Sequence, residues 1–315
     1  MTTQRIGLVL NRPTPSATID AIVQAEQRGV PAVWSTVGGA NPDAVTLFAA
    51  AAVRTQRIAL GTAIVPAYPR HPIVLASQAL VLANLAPDRF RLGVGPSHRP
   101  AIEGMFGIPH VKPLAYMREY LTVLRQLLWD GRSEFAGEFF TVHVALREGM
   151  TPPRVPLLLS ALRANAFRLA GEIADGAISW LCPVPYLVST ALPALQAGAQ
   201  AAQRSTPPLI AHVPVAMHDD RMAVRAAARP LLSGYGRLPF YARMLADAGY
   251  PFQDDGTPTD ALIDALIVSG DPAHIVARLA EIQASGMGEL LVMLVPVVDA
   301  IAEETALIAA ITGSV

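Results

Sequence analysis

The stretch RIALGTAIVPAYPRHPIVLASQALVLANLAPDRFRLGVG, residues 57–95, carries two strand signals with a helix signal between them. Its ends, RIALGTAI (57–64) and FRLGVG (90–95), are apolar without alternation. That pattern belongs to strands covered on both faces, as in parallel sheets flanked by helices. Pro66, Pro69 and Pro72 follow the first run within seven residues. Proline brings no N–H to a ladder, so the strand must stop before them. Pro72 suits the first turn of a helix, and IVLASQALVLANLA (73–86) continues from it. Ser77, Gln78 and Asn84 interrupt that segment, which also falls short of the ~20 residues a membrane span needs.

The same alternation repeats outward in both directions. Strands are expected at RIGLVL (5–10), PAVWST (31–36), VPLLLS (155–160), GAISW (176–180), LIAHVPV (209–215) and ELLVMLV (289–295), making eight with the two above. Asn41-Pro42 and Asp271-Pro272 each set a capping side chain before a proline at a helix start, and Gly176 reads as a stop after FRLAGEIAD. In PLAYMREYLTVLRQLLW, Leu114, Met117, Leu121, Leu124 and Leu128 recur at spacings of three and four, opposite Arg118, Thr122, Arg125 and Gln126, which predicts an amphipathic outer helix. Eight strand-helix units predict a closed (β/α)8 TIM barrel in preference to a doubly wound sheet, because such barrels take ~250 residues plus insertions. No composition break divides the chain, so residues 1–315 are expected to form a single barrel domain. Two insertions stand out: 131–154, between strands four and five, where EFAGEFFTVHVAL reads as a hairpin, and 233–258, between strands seven and eight. Both are expected to cover the barrel mouth.

Charge and motifs exclude several classes. With 24 basic and 25 acidic residues there is no overall field to draw nucleic acid or an anionic membrane. Cys182 stands alone, which removes disulfides and multi-cysteine metal sites, and no leader pattern opens the chain, so a cytoplasmic protein is expected. LGVGPS lacks the third glycine of a dinucleotide fingerprint. His212 and His218 with Asp219 and Asp220 lack a third well-placed ligand, so no metal is expected.

Function in a barrel sits at the C-terminal ends of the strands, where GTAIVPAYPRHP falls. Taken in order, RIALGTAIVPAYPRHP, ASQALVLANLAPDRFRLGVGPSHR, EGMFGIP, REYLTVLRQLL, FRLAGEIADGAISW and PVAMHDD resemble the luciferase-like monooxygenase superfamily, and more narrowly its branch dependent on the deazaflavin coenzyme F420. The resemblance runs from about residue 5 to 295. It implies a planar ring bound at the barrel rim, propped by a non-proline cis peptide at Ala63-Ile64. Thr62, Gly95 and Ser97 are expected to bind the cofactor beside that bond. It further implies an anion site at Ser160, Ala161, Leu162 and Arg163, with Trp180 and Leu181 alongside. Where the family often has Gly-Pro in that loop, this chain has Leu162-Arg163, exchanging backbone access for a guanidinium able to fork onto phosphate.

The implied reaction is hydride transfer between coenzyme F420 and a small, apolar organic substrate. A reduced-FMN monooxygenase using oxygen is the alternative, and a flavin-binding protein without catalysis a further one. His98 matches a position acidic in some relatives, and its imidazole suits proton transfer near neutral pH. Several relatives carry Asp-His at the end of the second strand; here Ser35-Thr36 stands there, and Thr36 can hydrogen-bond but cannot act as an acid. DAVTLFAAAAV (43–53) and IVLASQALVLANLA (73–86) are apolar nearly all round, which implies a covering layer. In the family the matching helices form a dimer contact, so a homodimer is expected.

Overall fold

The computed structural model describes residues 5–39 and 41–313. Eight parallel strands form at the eight expected places: β1 (Ile6–Val9), β2 (Ala32–Ser35), β3 (Ala59–Thr62), β4 (Phe90–Gly95), β5 (Leu157–Ser160), β6 (Gly176–Ser179), β7 (Leu209–Ala216) and β8 (Glu289–Leu294). Each pairs with the next, and β8 returns to β1 with Leu290 opposite Ile6, which closes a TIM barrel. Helices Pro15–Gln27, Ala44–Ala52, Pro72–Leu85, Pro113–Arg125, Ala164–Ile173, Leu192–Ala201, Arg221–Ser233 and Ala300–Thr312 follow the strands in turn. Among the described residues no helix is long and apolar enough to cross a membrane.

The inward-facing residues fill the barrel from its N-terminal end. Trp34 lies across the interior, its Nε1–H donating to Glu289 at 3.0 Å, while Arg91 stacks 4.3 Å over the indole and pairs with the same carboxylate. Gly7 and Gly61 make room for that ring: a Cβ on either would stand 2.5 or 2.4 Å from indole atoms. Above this layer Val9, Leu158, Ile178, Ile210 and Leu291 form an apolar plug. Only the C-terminal rim is left open.

Several local expectations are corrected. The second helix is capped by Asp43, whose carboxylate accepts from Thr46 N–H at 2.9 Å, while Asn41 turns its amide back to the Gly38 carbonyl. Asp43 reaches a first-turn N–H and Asn41 does not, so the helix starts at Ala44. Asp271 does cap its helix, accepting from His274 N–H at 2.7 Å. Gly176 is not a stop: the helix ends at Ile173, and Gly176 opens β6, where a Cβ would press Leu158 at 2.7 Å. Leu114 leaves the buried stripe of its helix for the rim, and Tyr120 and Val123 join that stripe.

The hairpin Arg132–Ala136 with Thr141–Ala145 forms, but it packs outside the barrel. The Glu119 carboxylate there gathers the N–H groups of Glu138, Phe139 and Phe140. Only the 233–258 insertion reaches the mouth, through a short turn at Tyr235–Arg237 and the helix Pro239–Asp247.

Candidate active site

A cavity of about 1020 Å³ opens at the C-terminal rim. One wall is the loop after β3, where the Ala63-Ile64 peptide bond is cis. Thr62 sits behind that wall, fully buried, with its Oγ1 donating to the Gly93 carbonyl at 2.8 Å and accepting from Gly93 N–H at 2.9 Å. The side chain thereby takes over the ladder where β3 bends away. Past the bend the chain pairs again, Val65-Pro66 against Val94-Gly95 of β4. Gly95 is also a layer back, and a Cβ there would overlap Ser160 Oγ at 2.1 Å, so glycine lets β4 and β5 close up at this height. Ala63, Ile64, Ser97 and Ser160 face the cavity, Ser97 with a left-handed φ of 58°.

At one end the wall is Ala161, Leu162 and Arg163, leading into the helix Ala164–Ile173. The Ala161 N–H is engaged with the Ile178 carbonyl at 2.8 Å, so Ala161 offers the cavity surface and no donor. Ala164 and Asn165 belong to the first turn, whose N–H groups have no intrahelical acceptor, and the helix dipole there favours an anion. The Arg163 guanidinium lies 3.5 Å from Asp247, yet its Nε is buried without any hydrogen-bond partner. An unmatched cationic donor beside free helix N–H groups is a donor set suited to phosphate.

The other end carries titratable and aromatic groups. His98 precedes the helix Arg99–Phe106, makes no capping bond and lines the cavity. Burial, aided by nearby His110, holds its pKa below the ordinary 6.5, so it is neutral at pH 7. Tyr241 lies against it, ring centres 5.5 Å apart. His110 is buried, stacks on Tyr68 at 4.8 Å, leaves Nε2 without a partner and is likewise held below 6.5, chiefly by burial. Thr36 reaches the cavity, its Oγ1 accepting from Asn11 Nδ2 at 3.1 Å. Trp180 also lines it, stacked on His212 at 3.6 Å and donating Nε1–H to Tyr235 Oη at 3.0 Å. Leu181 is behind the wall, its N–H directed at His212 Nδ1 at 3.4 Å.

The cavity thus brings together His98, Thr36, Ala63, Ile64, Ser97, Ser160, Ala161, Leu162, Arg163 and Trp180, with Thr62, Gly95 and Leu181 in the layer behind. Sequence reasoning did not find Phe106, His110, Tyr235, Phe240 and Tyr241. The insertion 233–258 holds Tyr235, Phe240, Tyr241, Tyr250 and Phe252, but which rings turn inward depends on how it folds. A smaller cavity of about 260 Å³ lies behind β7, against the helix Pro272–Ala284. Cys182 lines it, but burial pushes that thiol up to about 12, too high for a nucleophile at neutral pH.

Comparison with known proteins agrees with this architecture. The luciferase-like monooxygenase family model matches residues 1–289. The chain is 31% identical over 277 residues to an F420-dependent glucose-6-phosphate dehydrogenase of Beutenbergia cavernae, covering 82% of this chain and 81% of that one. A protein of the same description from Nakamurella multipartita is 29% identical over 287 residues, covering 84% and 82%. An F420-dependent secondary alcohol dehydrogenase, solved in complex with an F420-acetone adduct, superposes with a TM-score of 0.81 at 18% identity, covering 100% of this chain and 98% of that one.

Proposed function

The chain belongs to the luciferase-like monooxygenase family, and on that footing we propose a coenzyme F420-dependent oxidoreductase that moves a hydride between the deazaflavin and a small, apolar organic substrate. The observation that carries the cofactor assignment is the buried, partnerless Arg163 Nε at the end of a cavity large enough for a tricyclic ring and its tail. Bound there, the deazaflavin supplies a ring carbon that takes or gives two electrons as hydride. Arg163, Ser160 and the first N–H groups of the helix Ala164–Ile173 hold its phosphate. Ala63 and Ile64 support the ring, with Ser97 beside them. His98, neutral at pH 7, exchanges a proton with the substrate oxygen, and Thr36 orients that oxygen by a hydrogen bond.

Phe106, Phe240 and Tyr241 wall the substrate end. Lys112 there is paired with Glu138 at 2.7 Å and both histidines are held neutral, which favours an uncharged substrate over a sugar phosphate. Titration of the purified protein with F420 and with FMN, followed by fluorescence, tests the cofactor. Micromolar binding of F420 is expected; binding of FMN alone, with oxygen consumed on turnover, would favour the monooxygenase reading. Thr36, standing where relatives carry a catalytic histidine, supports one rival, a binding protein without catalysis. F420 binding with no hydride transfer across alcohols and ketones would favour it.

The helix Pro72–Leu85 carries the exposed Val74, Val81 and Leu85, and the exposed Val53 directly follows the helix Ala44–Ala52, which supports a homodimer through these two elements. The whole chain, residues 1–315, is read as one barrel domain. The enzyme is read as cytoplasmic.

A further inference from the structure

The cavity does not end at Arg163. Leu114, Ala115 and Asn165 line it and also line a second space of about 300 Å³ between the helices Pro113–Arg125 and Ala164–Ile173. The charged side chains of that groove are Arg118, Arg168 and Glu172. Both guanidiniums converge on the one carboxylate, Arg118 in a short contact and Arg168 through Nε at 3.5 Å. Glu172 is mostly covered, while the side chains of Arg118 and Arg168 stay 50% and 58% exposed. Two cations sharing one anion leave the groove with a net positive charge, and each guanidinium keeps N–H donors facing outward.

We propose that this groove binds a chain of carboxylates that continues from the cofactor's phosphate, namely the oligoglutamate tail of the deazaflavin. The inference rests on the deazaflavin reading above and adds a site to it. A ligand leaving the phosphate position passes Asn165, which lines both spaces, and then meets Arg168 one helical turn further on. Arg118 faces it from the other wall. FMN ends at its phosphate and has nothing to place there, so the groove distinguishes the two cofactors.

The test is equilibrium binding, read by quenching of the deazaflavin's own fluorescence and therefore independent of turnover. Two forms are compared at low salt: the coenzyme with several glutamates and the same coenzyme with none. Wild type is expected to bind the tailed form about twofold to thirtyfold more tightly, the range for two partly exposed ion pairs, with the preference fading as salt rises. The double variant R118Q/R168Q is expected to lose that preference while holding the tail-less form as wild type does. Because loss can reflect misfolding, E172Q serves as the opposite arm: freeing both arginines should increase the preference. Equal affinity of wild type for both forms overturns the groove assignment while leaving the deazaflavin reading intact. Binding of neither form overturns both.

Discussion

His212 and Tyr235, from distant parts of the chain, hold the indole of Trp180, and a separate contact fixes the tautomer of His212. Leu181 N–H is directed at His212 Nδ1, so the imidazole proton sits on Nε2, which is buried without a partner. Burial lowers the pKa of His212 to about 3. In the unfolded chain it titrates near ~6.5. Above pH 6.5 both states are neutral and the residue adds no pH dependence. As pH falls below that, the unfolded chain gains a proton the folded chain refuses. Stability then drops by ~1.4 kcal/mol per pH unit down to the folded value. H212N keeps an acceptor for Leu181 and removes the titration. Urea unfolding at pH 7 and pH 5 should show the variant losing about 2 kcal/mol less than wild type over that interval. Equal acid losses would count against a neutral buried imidazole. His98 is held below 6.5 in the same direction, so if it is the proposed proton acceptor, kcat/KM for hydride transfer from substrate to F420 should be flat above that pH and fall in acid as the imidazole becomes protonated. H98N should reduce kcat/KM by ~10²- to 10⁴-fold and abolish the acid limb.

The helix Ala164–Ile173, which presents the anion end of the cavity, is fixed from behind by glycine. A Cβ on Gly171 would stand 2.0 Å from the Leu195 carbonyl oxygen, and one on Gly198 would stand 2.0 Å from that of Arg168. The two helices touch backbone to backbone. G171A must push them apart and should cost ~1–3 kcal/mol, with a parallel loss of F420 affinity as the helix N-terminus shifts. Urea unfolding and the fluorescence titration check the two effects, and a variant as stable as wild type would contradict the contact. Nothing in FRLAGEIADG announced this, because Leu195, the residue Gly171 meets, belongs to a separate helix further along the chain. The strands were legible for the opposite reason. Most are continuously apolar runs whose burial on both faces is written in their own residues, as in LLLS at β5. The rim was legible at 61–72, where glycine and proline restrict the backbone locally. It was opaque at Tyr235 and Tyr241, which lie against Trp180 and His98 on the loops after β6 and β4.

A barrel packed at its N-terminal end and open at the other also leaves apolar side chains uncovered on its outer helices. On the helix Pro72–Leu85, Val74, Val81 and Leu85 are exposed by 51%, 58% and 39%. Spacings of seven and four put them on one face, with Ser77 between them, its hydroxyl turned inward to the Ile73 carbonyl at 3.0 Å. Val53, 63% exposed at the end of the neighbouring helix, extends the patch. Scattered exposed valines need no explanation, but three apolar side chains on one helix face beside Val53 are where the proposed homodimer contact would form. If that partner is a second copy, V74E/V81E sets two carboxylates against the same two positions across the axis and should dissociate it. The barrel core is untouched, so the variant should still bind F420. Light scattering after size exclusion should give twice the chain mass for wild type and a single chain for the variant. A wild-type protein that runs as a monomer at micromolar concentration would rule out the dimer and leave the stripe to some other partner.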